Sequence, residues 1–137
     1  MMKPEFWNIF HDGYIDSIEG QVPGDVQFSI AAEYLREQFP DRGSAFRMLI
    51  KACDMITFKL FHTNSVLSGL DALKGQNLEI LSAKLEANIL AVITTGGELR
   101  IHYDSESVAL DSGRQLQLSE LTAASNRALS QLRKSER

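Results

Sequence analysis

The sequence predicts an α+β fold: a curved, mainly antiparallel sheet of about six or seven strands, packed by a C-terminal helix and preceded by a short N-terminal helix. Three observations carry that expectation. Residues 87–104 read as two β-prone strands that meet at Gly96-Gly97. Upstream, residues 25–32 and 46–60 alternate apolar and polar side chains with the period of a half-buried strand. Near the end, Leu121, Ala124, Ala128, Leu129 and Leu132 recur at helical spacing. A chain of 137 residues fits one domain with a core of its own.

Taken in order, Pro4 suits a first helical position, where its missing N–H would have no partner anyway. Phe6, Trp7 and Phe10 then share one face of a helix over residues 4–10, which is expected to clamp the open end of the sheet. His11-Asp12-Gly13 ends it, with Gly13 expected to take a positive φ. Residues 14–19 form a strand in which Ile15 and Ile18 break strict alternation, as a bulge would. Gln21-Val22-Pro23-Gly24 is a turn. Val26, Phe28 and Ile30 point one way along the next strand, and Tyr34, Leu35 and Phe39 suit a short helix stopped before Pro40.

Residues 46–60 allow two readings, a hairpin turning near Ala52-Cys53-Asp54 or one long bulged strand, and the hairpin is preferred. Val66, Leu70 and Leu73 are spaced for a helix face, with Asn64 or Ser65 as its cap. Residues 78–85 form a strand. In the pair that follows, Ile89, Ala91 and Ile93 line one face and Leu90 and Val92 the other, so this strand should lie near the sheet centre with cover on both sides. Its partner turns Glu98, Arg100 and His102 outward. Val108 and Leu110 suggest a further strand, and Asp111-Ser112-Gly113-Arg114 a turn. Ser119 is the expected N-cap of the last helix, which is long enough to cover one sheet face, and Lys134 to Arg137 are expected to fray.

Composition argues against several functions. The net charge of −4 gives no general attraction to nucleic acid or to an anionic membrane. The single cysteine, Cys53, allows no internal disulfide and fits a reducing cytoplasm. No apolar run approaches the roughly 20 residues that span a bilayer, and no signal-peptide core opens the chain. A soluble, cytoplasmic protein is expected.

Chemistry is sparse. His11, His62 and His102 share no ligand spacing, so no metal is expected. There is no nucleophile elbow, and Cys53 sits among apolar neighbours where thiols are inert. Gly96-Gly97 does not open a helix and so lacks the N–H cradle of a phosphate loop. No catalytic residue and no cofactor are expected, and an enzyme is the less favoured outcome. Asp104 and Glu106 flank Ser105 at a rim that suits a basic partner better than acid–base catalysis. The candidate binding residues are Trp7, His11, Arg100, His102, Asp104 and Glu106.

Trp7 followed by His11-Asp12-Gly13 and an Ile-rich strand resembles the start of small bacterial proteins grouped with the immunity proteins of polymorphic toxin systems. Tyr34-Leu35-Arg36, Gly97-x-Leu99-x-Ile101-x-Tyr103 and Leu110-Asp111-x-Gly113 also look like recurrent features of uncharacterised bacterial proteins of this length. The likeness touches most of the chain through scattered short motifs. It implies a non-enzymatic domain that works by binding a protein, and it assigns no functional residue. The expected function is therefore a protein-binding module, compatible with homo-oligomers. The alternative is a small-molecule-binding domain or small enzyme using the concave face of the sheet.

Overall fold

In the computed structural model, which describes residues 1–135, the alternating stretches form two five-stranded antiparallel sheets. The chain runs α1 (Pro4–Asn8), β1 (Tyr14–Gly20), β2 (Gly24–Ala31), α2 (Glu33–Arg36), β3 (Phe46–Cys53), β4 (Met55–Leu60), β5 (Val66–Ser68), β6 (Ile80–Glu86), β7 (Ile89–Thr94), β8 (Gly97–His102), β9 (Ser105–Leu110), β10 (Gln115–Leu116) and α3 (Leu118–Ser135). One sheet has the order β1-β2-β3-β9-β10 and the other β5-β4-β8-β7-β6. Among the described residues there are ten strands rather than six or seven. Part of the excess is β5 and β10, too short to show a period.

The two sheets are joined by bends. β3 does not pair with β4, which overturns the hairpin. Instead β3 pairs with β9 in one sheet, and β4 pairs with β8 in the other. The two sets act as long strands bent at Ala52–Asp54 and at Tyr103–Asp104. Across the bend the Asp54 N–H donates to the His102 carbonyl at 3.1 Å, and the Asp104 N–H donates to the Lys51 carbonyl at 2.8 Å. Ala52 takes a φ of 54° there, a left-handed conformation that alternation cannot reveal. On the opposite side the sheets meet again. Tyr14 bridges to Glu79, and Gly13 and Ile80 are linked through the Ile80 N–H at 2.7 Å.

The core lies between the sheets and is closed by the helices. Val26, Phe28, Ile30, Phe46, Met48 and Ile50 face Phe58, Leu90, Val92, Leu99 and Ile101, all fully buried. Phe6, Trp7 and Phe10 of the α1 region plug one end, as their shared face predicted. The bulge in β1 is present, between Ile15 and Ser17. The stop after α1 differs: Asp12, not Gly13, takes the positive φ, at 70°. Gly13 is required by space, since a Cβ there would lie 2.9 Å from the Phe10 carbonyl.

Three further expectations change. Val66 belongs to a strand, and only a 3-10 turn follows at Asp71–Leu73, without a side-chain cap. Gly69 interrupts that segment, and pairing of β5 with β4 outweighs its weak helical spacing. β7 lies one place from the sheet edge, and on its outer face Ile89 and Ile93 are only half-buried. There Ala91 is buried between cross-strand neighbours Lys84 and Arg100, whose aliphatic stems can shield it. α3 starts at Leu118, which moves Ser119 inside the helix. The Gln117 N–H donates to Glu120 Oε1 at 2.9 Å, the carboxylate half of a capping box. α3 runs through Lys134, and Glu136 and Arg137 lie outside the described residues.

Gly97 shows how closely β8 and β4 approach. A Cβ there would lie 2.3 Å from the Lys59 carbonyl oxygen and 2.9 Å from the Phe58 ring. Gly97→Ala is expected to destabilise the fold by about 1–3 kcal/mol, by prising the Leu60–Gly97 register apart. Urea unfolding followed by circular dichroism would measure it, and an unchanged midpoint would reject the close approach.

Candidate functional site

The sequence-predicted residues separate into three places. Trp7 is buried, with its ring edge-on to Phe28 at 5.4 Å between centroids. Its Nε1–H donates to the Tyr103 hydroxyl at 3.0 Å, and that hydroxyl donates to Glu106 Oε1 at 2.9 Å. The same Glu106 oxygen accepts the Lys3 backbone N–H at 2.6 Å. This corrects the rim reading of Glu106. It begins the inward phase of β9, opposite Ile50, and ties the N-terminal segment to the core. Burial, with a smaller contribution from the Glu106 charge, pushes the Tyr103 hydroxyl far above its ordinary range, so it stays a neutral donor. Trp7 and Tyr103 offer no aromatic surface to a partner.

At the bend, His102 Nδ1 lies 2.7 Å from Asp54 Oδ1, and both side chains are exposed. His102 and Asp104 line one shallow groove of about 380 Å³ with Met1, Ala52 and Leu85. A histidine held by a carboxylate is half of a nucleophilic apparatus. The nearby thiol cannot complete it. Cys53 is buried with its Sγ toward the Met55 carbonyl at 3.6 Å, and burial pushes the thiol up. Arg100 extends over the outer face of the second sheet between Glu86 and Glu98, at 3.1 and 3.5 Å. It is committed to that surface network.

His11 stands apart from both. Its Nδ1 lies 2.6 Å from the Leu81 carbonyl and its Nε2 lies 3.4 Å from Asp12. The His11 carbonyl accepts the Tyr34 hydroxyl. Burial, then the charge of Asp12, pushes that hydroxyl up to about 12. Asn8 grips β6 with both ends of its amide, donating to the Ala83 carbonyl and accepting the Ala83 N–H. The turn after α1 is thus a clasp onto β6 and α2.

Two features were not among the residues the sequence singled out. Arg36 is only 4% exposed, and its guanidinium donates to the carbonyls of Ala45, Asp41 and Arg42 and to Asp111 Oδ1 at 3.0 Å. Asp111 Oδ2 accepts the Ser44 and Ala45 N–H groups at 2.8 and 3.0 Å. Burial raises the Asp111 pKa, but these donors and the guanidinium outweigh it and hold the carboxyl below the usual range. Gly43 is needed against this carboxylate, since a Cβ would lie 2.0 Å from Asp111 Oδ1. The one available signal was a charged residue, Arg36, beside apolar Leu35 in a short helix. Its partner lies 75 residues away and could not be identified from that.

The second feature is an acidic groove of about 430 Å³ between β1 and α2. Asp16, the residue displaced by the β1 bulge, faces Glu33 and Glu37 across it, over a floor that includes Ala31 and Phe39. None of the three carboxylates has an ion-pair partner among the described residues. Asp41 on the same rim differs. It is bonded through both oxygens to Arg114, which lowers its pKa.

Among the described residues, the space between the sheets is taken up by apolar side chains. Phe28, Phe46, Phe58 and Trp7 fill it. Among the described residues, no group of three or more His, Cys, Asp and Glu could hold a metal ion, and no helix is long and apolar enough to cross a membrane. Compared with protein-family models, with curated proteins and with solved structures, the chain matches none.

Proposed function

We propose that the chain is a non-enzymatic protein-binding module of the immunity type, and that its docking face is the acidic groove beside α2. The observation that carries this reading is the set Asp16, Glu33 and Glu37, three exposed carboxylates on one groove with no ion-pair partner among the described residues. A net charge of −4 acts in the same direction at long range, speeding encounter with a basic partner. The partner is a protein presenting lysines or arginines around an apolar residue that reaches Ala31 and Phe39. The groove is backed by Arg36 and its bonds to the 41–45 loop, so little ordering is required on binding. This reading goes with a cytoplasmic bacterial protein whose Cys53 stays reduced.

Capture from native lysate with the tagged chain tests it. The wild-type chain is expected to retain a stoichiometric basic protein at about 0.15 M salt and to release it at high salt. The triple variant Asp16→Lys, Glu33→Lys, Glu37→Lys, altered only at exposed positions, is expected to retain none. Absence of any stoichiometric partner across several growth conditions overturns the reading. So does a partner that the triple variant binds equally well.

A further inference from the structure

A sheet edge carries unpaired backbone groups, and three of the four edges in this fold are blunted. β6 is capped by the α1 clasp. The Asn8 amide holds both backbone groups of Ala83, His11 Nδ1 meets the Leu81 carbonyl, and the Ile80 N–H donates to the Gly13 carbonyl. β5 and β10 have three and two residues, too few to template another chain. The fourth edge is β1, with seven residues. Only its start is covered, where the Ile15 N–H donates to the Leu78 carbonyl and Tyr14 bridges to Glu79. Past the bulge the covering segment diverges. A groove of about 210 Å³ opens there, lined by residues 15–18 on one side and by Leu73 and Leu78 among others on the far side.

The register fixes which backbone groups of β1 face that opening. The Gln21 N–H donates to the Asp25 carbonyl, so the alternating antiparallel pattern turns the groups of Glu19 and Ser17 toward Gln27 and Ser29 of β2. Ile18 and Gly20 therefore turn theirs outward, where they have no hydrogen-bond partner among the described residues. The side chains add a selection. Ile18, half-buried against the core, lines the groove with Leu73 and Leu78. Glu19 is exposed and has no ion-pair partner among the described residues. Asp16, likewise unpaired, lines both this groove and the acidic groove beside α2. A strand added here meets apolar contact on one face and carboxylates on the other. A second copy of β1 would set those carboxylates against their own kind, which disfavours self-pairing. We propose, resting on the docking of a basic protein argued above, that β1 is where that partner adds a strand. An extended segment of the partner pairs antiparallel with residues 17–20. Its alternate apolar side chains pack over Ile18, and the lysines or arginines between them lie beside Glu19 and Asp16.

Amide NMR of the full chain, titrated with a blocked peptide of about seven alternating lysines and valines, tests the proposal. The Ile18 and Gly20 amides are expected to shift and to gain protection from exchange. In the antiparallel pattern the residue opposite Ile18 shares its face, so the valines present their N–H groups to β1. The same peptide N-methylated at its valines keeps its charge and loses those donors. It is expected to bind about tenfold more weakly or worse. Glu19→Lys is expected to weaken the unmethylated peptide about fivefold and to lessen its salt dependence. Ile18→Pro removes an outward N–H that β2 does not use, the one place an edge strand tolerates proline, and is expected to weaken binding about tenfold. Should that variant unfold, the two peptides compared on the wild-type chain still decide. Equal affinity for both peptides, shifts confined to α2, or no binding at all overturns strand addition. Capture from lysate separates this from the docking reading. A basic protein that the Asp16→Lys, Glu33→Lys, Glu37→Lys variant loses and Ile18→Pro keeps leaves the acidic groove as the docking face and removes the β1 edge from it. Absence of any stoichiometric partner overturns both.

Discussion

Asp111→Ala is expected to lower the free energy of unfolding by about 3 kcal/mol, one of the two largest single-residue effects anticipated in this fold. The carboxylate binds three donors at once: the Arg36 guanidinium and the N–H groups of Ser44 and Ala45. Its removal leaves a nearly buried cation without its counter-charge. The three carbonyl partners of Arg36 remain, which keeps the cost near the lower end for a broken buried pair. The loop at 41–45 should loosen with it, and amide exchange there should speed up. Asp111→Asn adds a pH signature. The folded carboxyl lies below its ordinary value of 3.8, so its contribution is complete above that value and is lost as pH falls through the folded pKa. The stability gap between wild type and Asp111→Asn should therefore be constant above about pH 5 and close as the pH drops below about 4. A gap independent of pH down to the acid transition would show that Asp111 does not hold this charge.

Trp7→Ala is expected to cost about 3–5 kcal/mol, the usual range for removing a buried indole. Three losses add together: a void at the end of the core, the edge-to-face contact with Phe28, and the acceptor role of the Tyr103 hydroxyl. Tyr103→Phe isolates the polar part. It leaves the Trp7 N–H without an acceptor and Glu106 without one of its donors, at a cost of about 1–3 kcal/mol. Trp7 is the only tryptophan, so its emission reports directly. Emission in Tyr103→Phe should shift while the fold persists, and urea midpoints by circular dichroism should rank Trp7→Ala below Tyr103→Phe below wild type. Equal midpoints for all three would mean that α1 does not seal the core.

The candidate site was only partly legible in the sequence. Residues of the right kind were found on the right strand: His102 and Arg100 do face outward from β8, and Asp104 does sit at the bend. Trp7 and Glu106 turned inward to meet each other through Tyr103, across a sequence separation of 96 residues between Trp7 and Tyr103. The acidic groove was missed because its members come from a bulge and a four-residue helix. Neither has a period long enough to read, and the three side chains face one another only once β1 and α2 are packed.

By itself the sequence determined the α+β class, the alternation of β2, β3 and β8, the apolar face of α1 and the helical stripe of α3. Each of these depends on side chains a few residues apart, where strand and helix periodicities act directly. Only the tertiary structure decided that residues 46–60 bend from one sheet into another instead of folding back. The choice rests on pairing with β8 and β9, remote in sequence: Met55 pairs with His102 and Phe46 with Leu110. The tertiary structure likewise decided that Asp12 rather than Gly13 takes the left-handed turn, that Arg36 is buried against Asp111, and that α3 leaves Leu129 and Leu132 half-exposed. These are outcomes of competition for space and for hydrogen-bond partners between segments remote in sequence, and local pattern carries no record of which segment wins.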